Sequence, residues 1–395
     1  MSELKKVKLG NICERVTSGG TPKANVSSYY YPPIIPWLKT KEVNYCRITE
    51  TENYISEEGL NNSSAKLIAP NSVIIAMYGQ GDTAGRVAIN KIPLTTNQAC
   101  CNLTIDESKA DYEFIYYQLC TLYNKMVSLK AGAAQPNLNA QIIKNLEVQL
   151  PSLPMQHRIA SILSRYDSLI DNYQKQIKLL EEAAQRLYKE WFVDLHFPGH
   201  KNIKIENGVP EGWEKKHLSD FADITMGQSP KSEFYNSERN GLPFHQGVGN
   251  YGFRFVIDNV YSTSFTRIAE PNSILFSVRA PVGRLNITKN KIVIGRGLAA
   301  MNHKNGHQSY LYYLLKEKFF KDNIIGNGAI FASISKDELY NQVFVVPSDE
   351  MVMKFDDIAN KIDKRIQYID MQIRLLTEAR DRLLPKLMSG EFELK

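Results

Sequence analysis

Residues 145–163 read NLEVQLPSLPMQHRIASIL, and residues 341–359 read NQVFVVPSDEMVMKFDDIA. In both stretches apolar residues alternate before a proline and recur at 3,4 spacing after it, the pattern of a half-buried strand running into an amphipathic helix. Pro151 and Pro347 stand 196 residues apart in a chain of 395. The expectation is a tandem duplication.

The pairing extends in the same order along both halves. LGNICERVTSGGTPK from Leu9 matches LSDFADITMGQSPK from Leu218, and IPWLKTKEV from Ile35 matches LPFHQGVGN from Leu242. SVIIAMYGQGDTAGRVAI from Ser72 matches SILFSVRAPVGRLNI from Ser273, and FIYYQL from Phe114 matches YLYYLL from Tyr310. A repeat this long predicts two copies of one domain rather than a solenoid. Within each copy, short apolar runs such as SVIIAMY and SILFSV predict strands with hairpin loops, while DYEFIYYQLCTLYNKMVSL and SYLYYLLKEKFFKDNI predict helix. Each copy is therefore expected to be an α+β domain.

After the proline, Leu163, Tyr166, Ile170, Tyr173, Ile177, Leu180, Ala184, Leu187 and Trp191 follow 3,4 steps, the seam of a coiled coil. Shifted by 196, the second copy gives Ala359, Ile362, Ile366, Ile369, Ile373, Leu376, Arg380, Leu383 and Leu387, with Arg380 alone breaking the apolar run. The first helix delivers the chain to the second head and the second runs back, so antiparallel packing along the seams is expected. About 30 residues at 1.5 Å each predict a rod of roughly 45 Å. The expected architecture is a pseudo-two-fold dumbbell, with heads at 1–152 and 196–347 and spacer helices at 153–195 and 348–395. A helical hairpin buried in one core is disfavoured by polar faces dense in Lys, Arg, Glu and Gln.

Composition narrows the function. The formal charge of +6, from 48 basic and 42 acidic residues, favours an anionic partner without demanding nucleic acid. Cys13, Cys46, Cys100, Cys101 and Cys120 all lie in the first half with no C-x-x-C pair, which suits reduced thiols in a cytosol. MSELKKVKLGNI has no apolar signal core, and no run approaches the roughly 18 apolar residues of a membrane span. A cytoplasmic protein without membrane contact is expected.

Several catalytic patterns fail on inspection. GQGDTAG at 79–85 has no following helix signal and no Lys-Ser or Lys-Thr, so a hairpin loop is expected instead of a phosphate cradle. YPPII at 31–35 lacks the flanking residues of an adenine methyltransferase motif. His196 and His200 are separated by Pro198 and Gly199, and His303 and His307 flank a turn, so neither pair reads as a metal site. No nucleophile stands with a base, and no pair of carboxylates stands out in a loop.

LYKEWFVDLHFPG at 187–199, GVPEGWEKKHLSD at 208–220 and LLPKLMSGEFE at 383–393, taken with the duplication, resemble the specificity subunits (HsdS) of Type I restriction-modification enzymes. The N-terminus departs from the pattern by lacking a Pro-Glu-Gly-Trp opening. The resemblance implies two target recognition domains, each reading one half of an asymmetric bipartite site in double-stranded DNA. It also implies helices that carry two methyltransferase subunits, together with restriction and translocase subunits. Cofactors are expected on those partners, S-adenosylmethionine for adenine N6 methylation and ATP with Mg for translocation and cleavage, and none in this chain. Heads of one scaffold with different loop letters suit two different half-sites, since palindromic DNA normally mirrors protein symmetry.

Candidate DNA contacts lie in the head loops. In the first head they are Lys23, Lys39, Thr40, Lys41, Tyr78, Arg86, Asn97 and Gln98; in the second, Gln228, Ser229, Lys231, His245, Gln246, Arg279, Arg284 and Arg296. Arg suits guanine edges and Asn or Gln suits adenine edges because each forms a bidentate pair in the major groove. The competing reading is a non-catalytic two-headed scaffold or adhesin that binds proteins or glycans. It is disfavoured by the basic balance and by Arg and Lys in corresponding hairpins. A self-sufficient nuclease or methyltransferase would need motifs that are absent.

Overall fold

Pro151 and Pro347 each separate a strand from a long helix. In the computed structural model, which describes residues 4–130, 137–206, 208–319 and 333–392, the strands Glu147–Leu150 and Val343–Val346 alternate exposed and buried residues in the same phase. Helices Leu153–Phe192 and Asp349–Ser389 follow. Ser152 and Ser348 start them in the same way, their carbonyls accepting from the amides of Met155 and Gln156 and of Met351 and Val352 at 2.9 and 3.0 Å in each case. Pro154 falls within the first turn, where a missing N–H costs no intrahelical bond. The helices therefore begin well before the apolar seam. At 40 and 41 residues each is about 60 Å long, against the roughly 45 Å expected.

The chain divides into two compact units, one of residues 1–172 and 372–395, the other of residues 173–371. Each unit contains one globular head and half of each long helix. In the first, strands run in the order Cys13–Ser18, Cys100–Ile105, Val73–Ala76, Val87–Asn90, Cys46–Ile48, the last pairing parallel and the others antiparallel. A smaller sheet of Tyr54–Ile55, Ile35–Leu38 and Thr95–Thr96 adjoins it. In the second unit the order Ala222–Met226, Leu298–His303, Ile274–Ser277, Leu285–Ile287 repeats the first four strands. Its smaller sheet pairs Phe244 with Val293 in parallel, as Trp37 pairs with Thr95 in the first head. The strand SVIIAMY is observed over Val73–Ala76 and SILFSV over Ile274–Ser277. Helices Tyr112–Thr121, Tyr123–Lys130 and Gln308–Phe319 occupy the stretches where helix is expected; the end of the last stretch, 320–324, lies outside the described residues.

The helices complete the core of each unit. In the first, Ile159, Ala160 and Leu163 of the first helix share a buried cluster with Phe114, Leu387 and Met388. In the second, Tyr188 and Trp191 pack on Phe355 at ring separations of 5.7 and 5.9 Å, and Tyr188 packs on Tyr310. Within either unit the two helix halves run antiparallel: in the first, residue 167 bonds residue 380 while Leu163 shares a cluster with Leu387, and in the second, Glu181 and Asp363 share Arg254 while Trp191 packs on Phe355. Every seam residue named above, from Leu163 to Trp191 and from Ile362 to Leu387, is buried or half-buried. Among the described residues no helix is long and apolar enough to cross a membrane.

Candidate nucleic-acid interface

A shared scheme of backbone hydrogen bonds gathers three loops in each head. In the first, the Gly19 amide donates to the Cys100 carbonyl at 3.1 Å, Gly20 to Thr96 at 2.8 Å and Asn97 to Leu38 at 3.0 Å. In the second, Gly227 donates to Leu298 at 2.9 Å, Gln228 to Ile294 at 2.9 Å and Gly295 to His245 at 2.8 Å. Even the brace is repeated, the Tyr30 hydroxyl donating to Pro22 O at 2.7 Å and the Tyr235 hydroxyl to Pro230 O at 2.8 Å. Glycine is required where the backbones meet, because a Cβ on Gly19 would lie 2.2 Å from the Asn97 carbonyl and one on Gly227 would lie 2.1 Å from that of Gly295.

This scheme brings Lys23, Lys39, Thr40, Lys41, Asn97 and Gln98 into one loop cluster of the first head. Lys23, Lys41 and Gln98 are exposed; Lys39, Thr40 and Asn97 are half-buried. Some are already tied: Lys39 Nζ donates to Asn53 Oδ1 at 3.0 Å, Lys41 pairs with Glu52, and the Thr21 hydroxyl donates to Gln98. The Asn97 side-chain oxygen accepts from the Cys100 thiol. Tyr78 and Arg86 belong to the neighbouring hairpin, where Arg86 pairs with Asp82 at 2.5 Å and donates to Asn44 at 3.1 Å. In the second head Gln228, Ser229, Gln246 and Arg296 converge, with the Arg296 amide donating to Ser229 Oγ at 3.2 Å. Lys231 lies 3.8 Å from Glu233 at the edge. Arg279 is exposed beside a bridge to Ser333, and the half-exposed Arg284 lines a cavity of about 450 Å³ with Tyr251, Phe253 and Lys316.

His245 is a correction. Its side chain is fully buried, with Nε2 2.8 Å from Asp258 Oδ1, and Asp258 in turn accepts from Asn290 at 2.9 Å. Burial opposes the Asp258 charge, but the bonds from His245 and Asn290 hold its carboxyl below the usual range. An imidazole enclosed in this way supports the loop and is not presented at the surface; its neighbour Gln246 is exposed. Neither rejected histidine pair gathers ligands: His196 Nδ1 contacts Glu190, His200 Nδ1 contacts Phe197 O, and no group of three metal-binding side chains occurs among the described residues.

Two arginines that the loop patterns do not single out tie the heads to the helices. Arg47, on the edge strand of the first sheet, donates to Asp167 Oδ2 of the first helix at 2.7 Å and to Glu113 at 2.5 Å. Tyr117 Oη donates to the same Asp167 oxygen at 2.6 Å, and Arg380 of the second helix donates to Asp167 Oδ1 at 2.7 Å. In the other unit Arg254 donates to Asp363 Oδ1 of the second helix at 2.6 Å and to Glu181 of the first helix at 3.2 Å, while Tyr313 Oη donates to Asp363 at 2.9 Å. The Arg254 guanidinium also lies 3.4 Å from the centre of the Tyr312 ring. The sequence signal lay in the repeat: Asp167 and Asp363, Tyr117 and Tyr313, and Tyr116 and Tyr312 are all 196 residues apart.

These contacts set a pH dependence. Burial raises the Asp167 pKa, but the Tyr117 hydroxyl and the Arg380 and Arg47 guanidiniums outweigh it and leave the carboxyl below its ordinary 3.8. A depressed folded value means that this stabilisation is present above about pH 4 and disappears as the pH falls from there through the folded value. In acid unfolding followed by circular dichroism, Asp167→Asn is expected to be less stable than wild type at pH 7. The gap between the two should narrow as the solution is taken below pH 4.

Comparison with known proteins agrees with this geometry. The family model described as "Type I restriction modification DNA specificity domain" matches twice, at residues 1–182 and 210–381. The Type I restriction enzyme MjaIX specificity subunit of Methanocaldococcus jannaschii is 27% identical over 414 residues, covering 100% of this chain and 94% of that protein. The Type I restriction enzyme EcoR124I/EcoR124II specificity subunit of Escherichia coli is 27% identical over 192 residues, 48% of this chain and 47% of that one. A crystal structure of the Type I restriction-modification S subunit from M. genitalium superposes with a TM-score of 0.59 at 18% identity, covering 98% of this chain and 96% of that one, a likeness of fold. With both copies of the repeat matched, the chain belongs to the family of Type I restriction-modification specificity subunits.

Proposed function

We propose that this chain is the DNA sequence-specificity subunit of a Type I restriction-modification system. It binds double-stranded DNA at an asymmetric bipartite target, with heads at 1–152 and 196–347 each reading one half-site. The spacer helices at 153–195 and 348–395 carry two methyltransferase subunits, and restriction and translocase subunits join the complex. The chain itself is non-catalytic and works in the cytoplasm; S-adenosylmethionine and ATP with Mg act on the partners. The observation that carries this reading is the repeated loop scaffold with unlike side chains on it, Lys39 and Gln98 in one head against Gln246 and Arg296 in the other. A fixed frame with interchangeable letters is what reading two different sequences requires. Selection from a random DNA library by the purified complex with its modification subunits tests it: two unlike conserved blocks separated by a constant gap are expected, and no enriched sequence would refute it.

Within this reading Arg279 is a head-2 contact. Arg279→Ala is expected to weaken binding by about 1 to 3 kcal/mol and relax one position of one half-site if it pairs with a base, or to lower the salt slope by about one if it meets a phosphate. Fluorescence anisotropy at several salt concentrations separates the two. Unchanged affinity and specificity at every salt would remove Arg279 from the interface.

A further inference from the structure

The two arginine clusters are built alike: in each, a guanidinium from the head bonds a carboxylate on a long helix. Arg47 comes from an edge strand and reaches a carboxylate on the first helix, and that carboxylate's second oxygen takes Arg380 from the second helix. Arg254 reaches both helices directly through Glu181 and Asp363. In each unit, then, one buried guanidinium chain fastens the head to both helices at once. A planar guanidinium bonded at two edges fixes orientation as well as distance, which an apolar contact does not. Apolar packing already joins head and helices, through Phe114 with Leu163 in one unit and Tyr310 with Phe355 in the other. What the ionic clusters add is angular definition.

We infer that Arg47 and Arg254 are positioning residues that hold each head at one angle on its helices and so fix the number of base pairs between the two half-sites. The inference rests on the proposed function. Each base pair adds about 3.4 Å along the duplex, so a head free to rock by that distance accepts a neighbouring gap length without reading different bases. Neither arginine touches DNA in this account; both act through the loops they carry.

The test uses the full chain assembled with its modification subunits and a set of duplexes that share both half-sites but differ in gap length. The readout is the rate of methylation at each gap. Arg47→Lys, Arg254→Lys and Arg380→Ala keep the apolar packing while removing the fork geometry or one link of the chain, and thermal melting confirms that each is folded. Wild type is expected to prefer one gap strongly. The variants are expected to lose at least tenfold of that preference against gaps one base pair longer or shorter, with the half-site bases unchanged. Folded variants that keep the wild-type gap preference, or that lose methylation at every gap together, would overturn the inference while leaving the functional reading intact. A wild-type complex that methylates none of the duplexes would overturn the functional reading, and the inference with it.

Discussion

A fragment of residues 1–205 is expected to form a symmetric dimer and, with modification subunits, to direct methylation to an inverted repeat of the first half-site. In the first compact unit the start of the first helix is covered by Leu383, Leu384, Leu387 and Met388 of the second. By the 196-residue offset these correspond to Leu187, Tyr188, Trp191 and Phe192 at the far end of the first helix. There, in the other unit, Tyr188, Trp191 and Phe192 pack on Phe355, the counterpart of Ile159. A second copy of the first helix, running antiparallel, therefore offers groups of the same kind to each end. Without it, the fragment would leave a long apolar stripe in water. Arg380 is replaced by Ala184 in such a dimer, so Asp167 keeps Arg47 and Tyr117 and loses one partner. Symmetry of the protein then imposes symmetry on the DNA. Sedimentation equilibrium and methylation mapping check the two halves of the expectation; a monomeric fragment, or a motif that is not palindromic, would show that the helices are not interchangeable.

Arg254→Met is expected to be the most damaging single substitution outside the apolar core. The side chain is 1% exposed and its removal leaves Asp363 without its cation and Glu181 with Lys316 alone, at 3.5 Å. Breaking a buried pair by removing one partner costs about 3 to 5 kcal/mol, because the remaining charge stays desolvated. For a unit of this size that is a fall in Tm of roughly 6 to 20 °C. Differential scanning calorimetry of the full chain measures it, and a shift under about 2 °C would mean that water enters the site and solvates the carboxylates. Replacing Arg254 and Asp363 together by apolar residues should recover part of the loss, since no lone charge then remains.

The helices and the duplication were legible because their signals repeat. Nine seam positions recur at a fixed offset, and Pro151 and Pro347 mark the same junction twice. The rod comes out longer than expected because the expectation counts about 30 residues, the span of the apolar seam, whereas the helices run on to 40 and 41 residues. The candidate loops were legible from Gly, Lys and Gln at matching places, but His245 was misjudged. Its strand, Leu242–His245, lies between Tyr261–Ser262 and Ile292–Ile294 and is buried at three of four positions, so it gives no alternation to separate an inward from an outward side chain. Arg47 and Arg254 were hidden for a different reason. Their carboxylate partners on the helices lie 120 and 109 residues away, and no local pattern records a contact at that range. Arg380 looked like a flaw in an apolar seam until its partner, Asp167, was placed opposite it.

Whether the two heads read two different half-sites is decided by mapping N6-methyladenine across a genome in cells expressing the full chain with its modification subunits. One asymmetric motif made of two unlike blocks at a constant gap is expected, with an adenine methylated in each block. Methylation at a single undivided site, at a palindrome, or at no defined sequence would contradict that expectation.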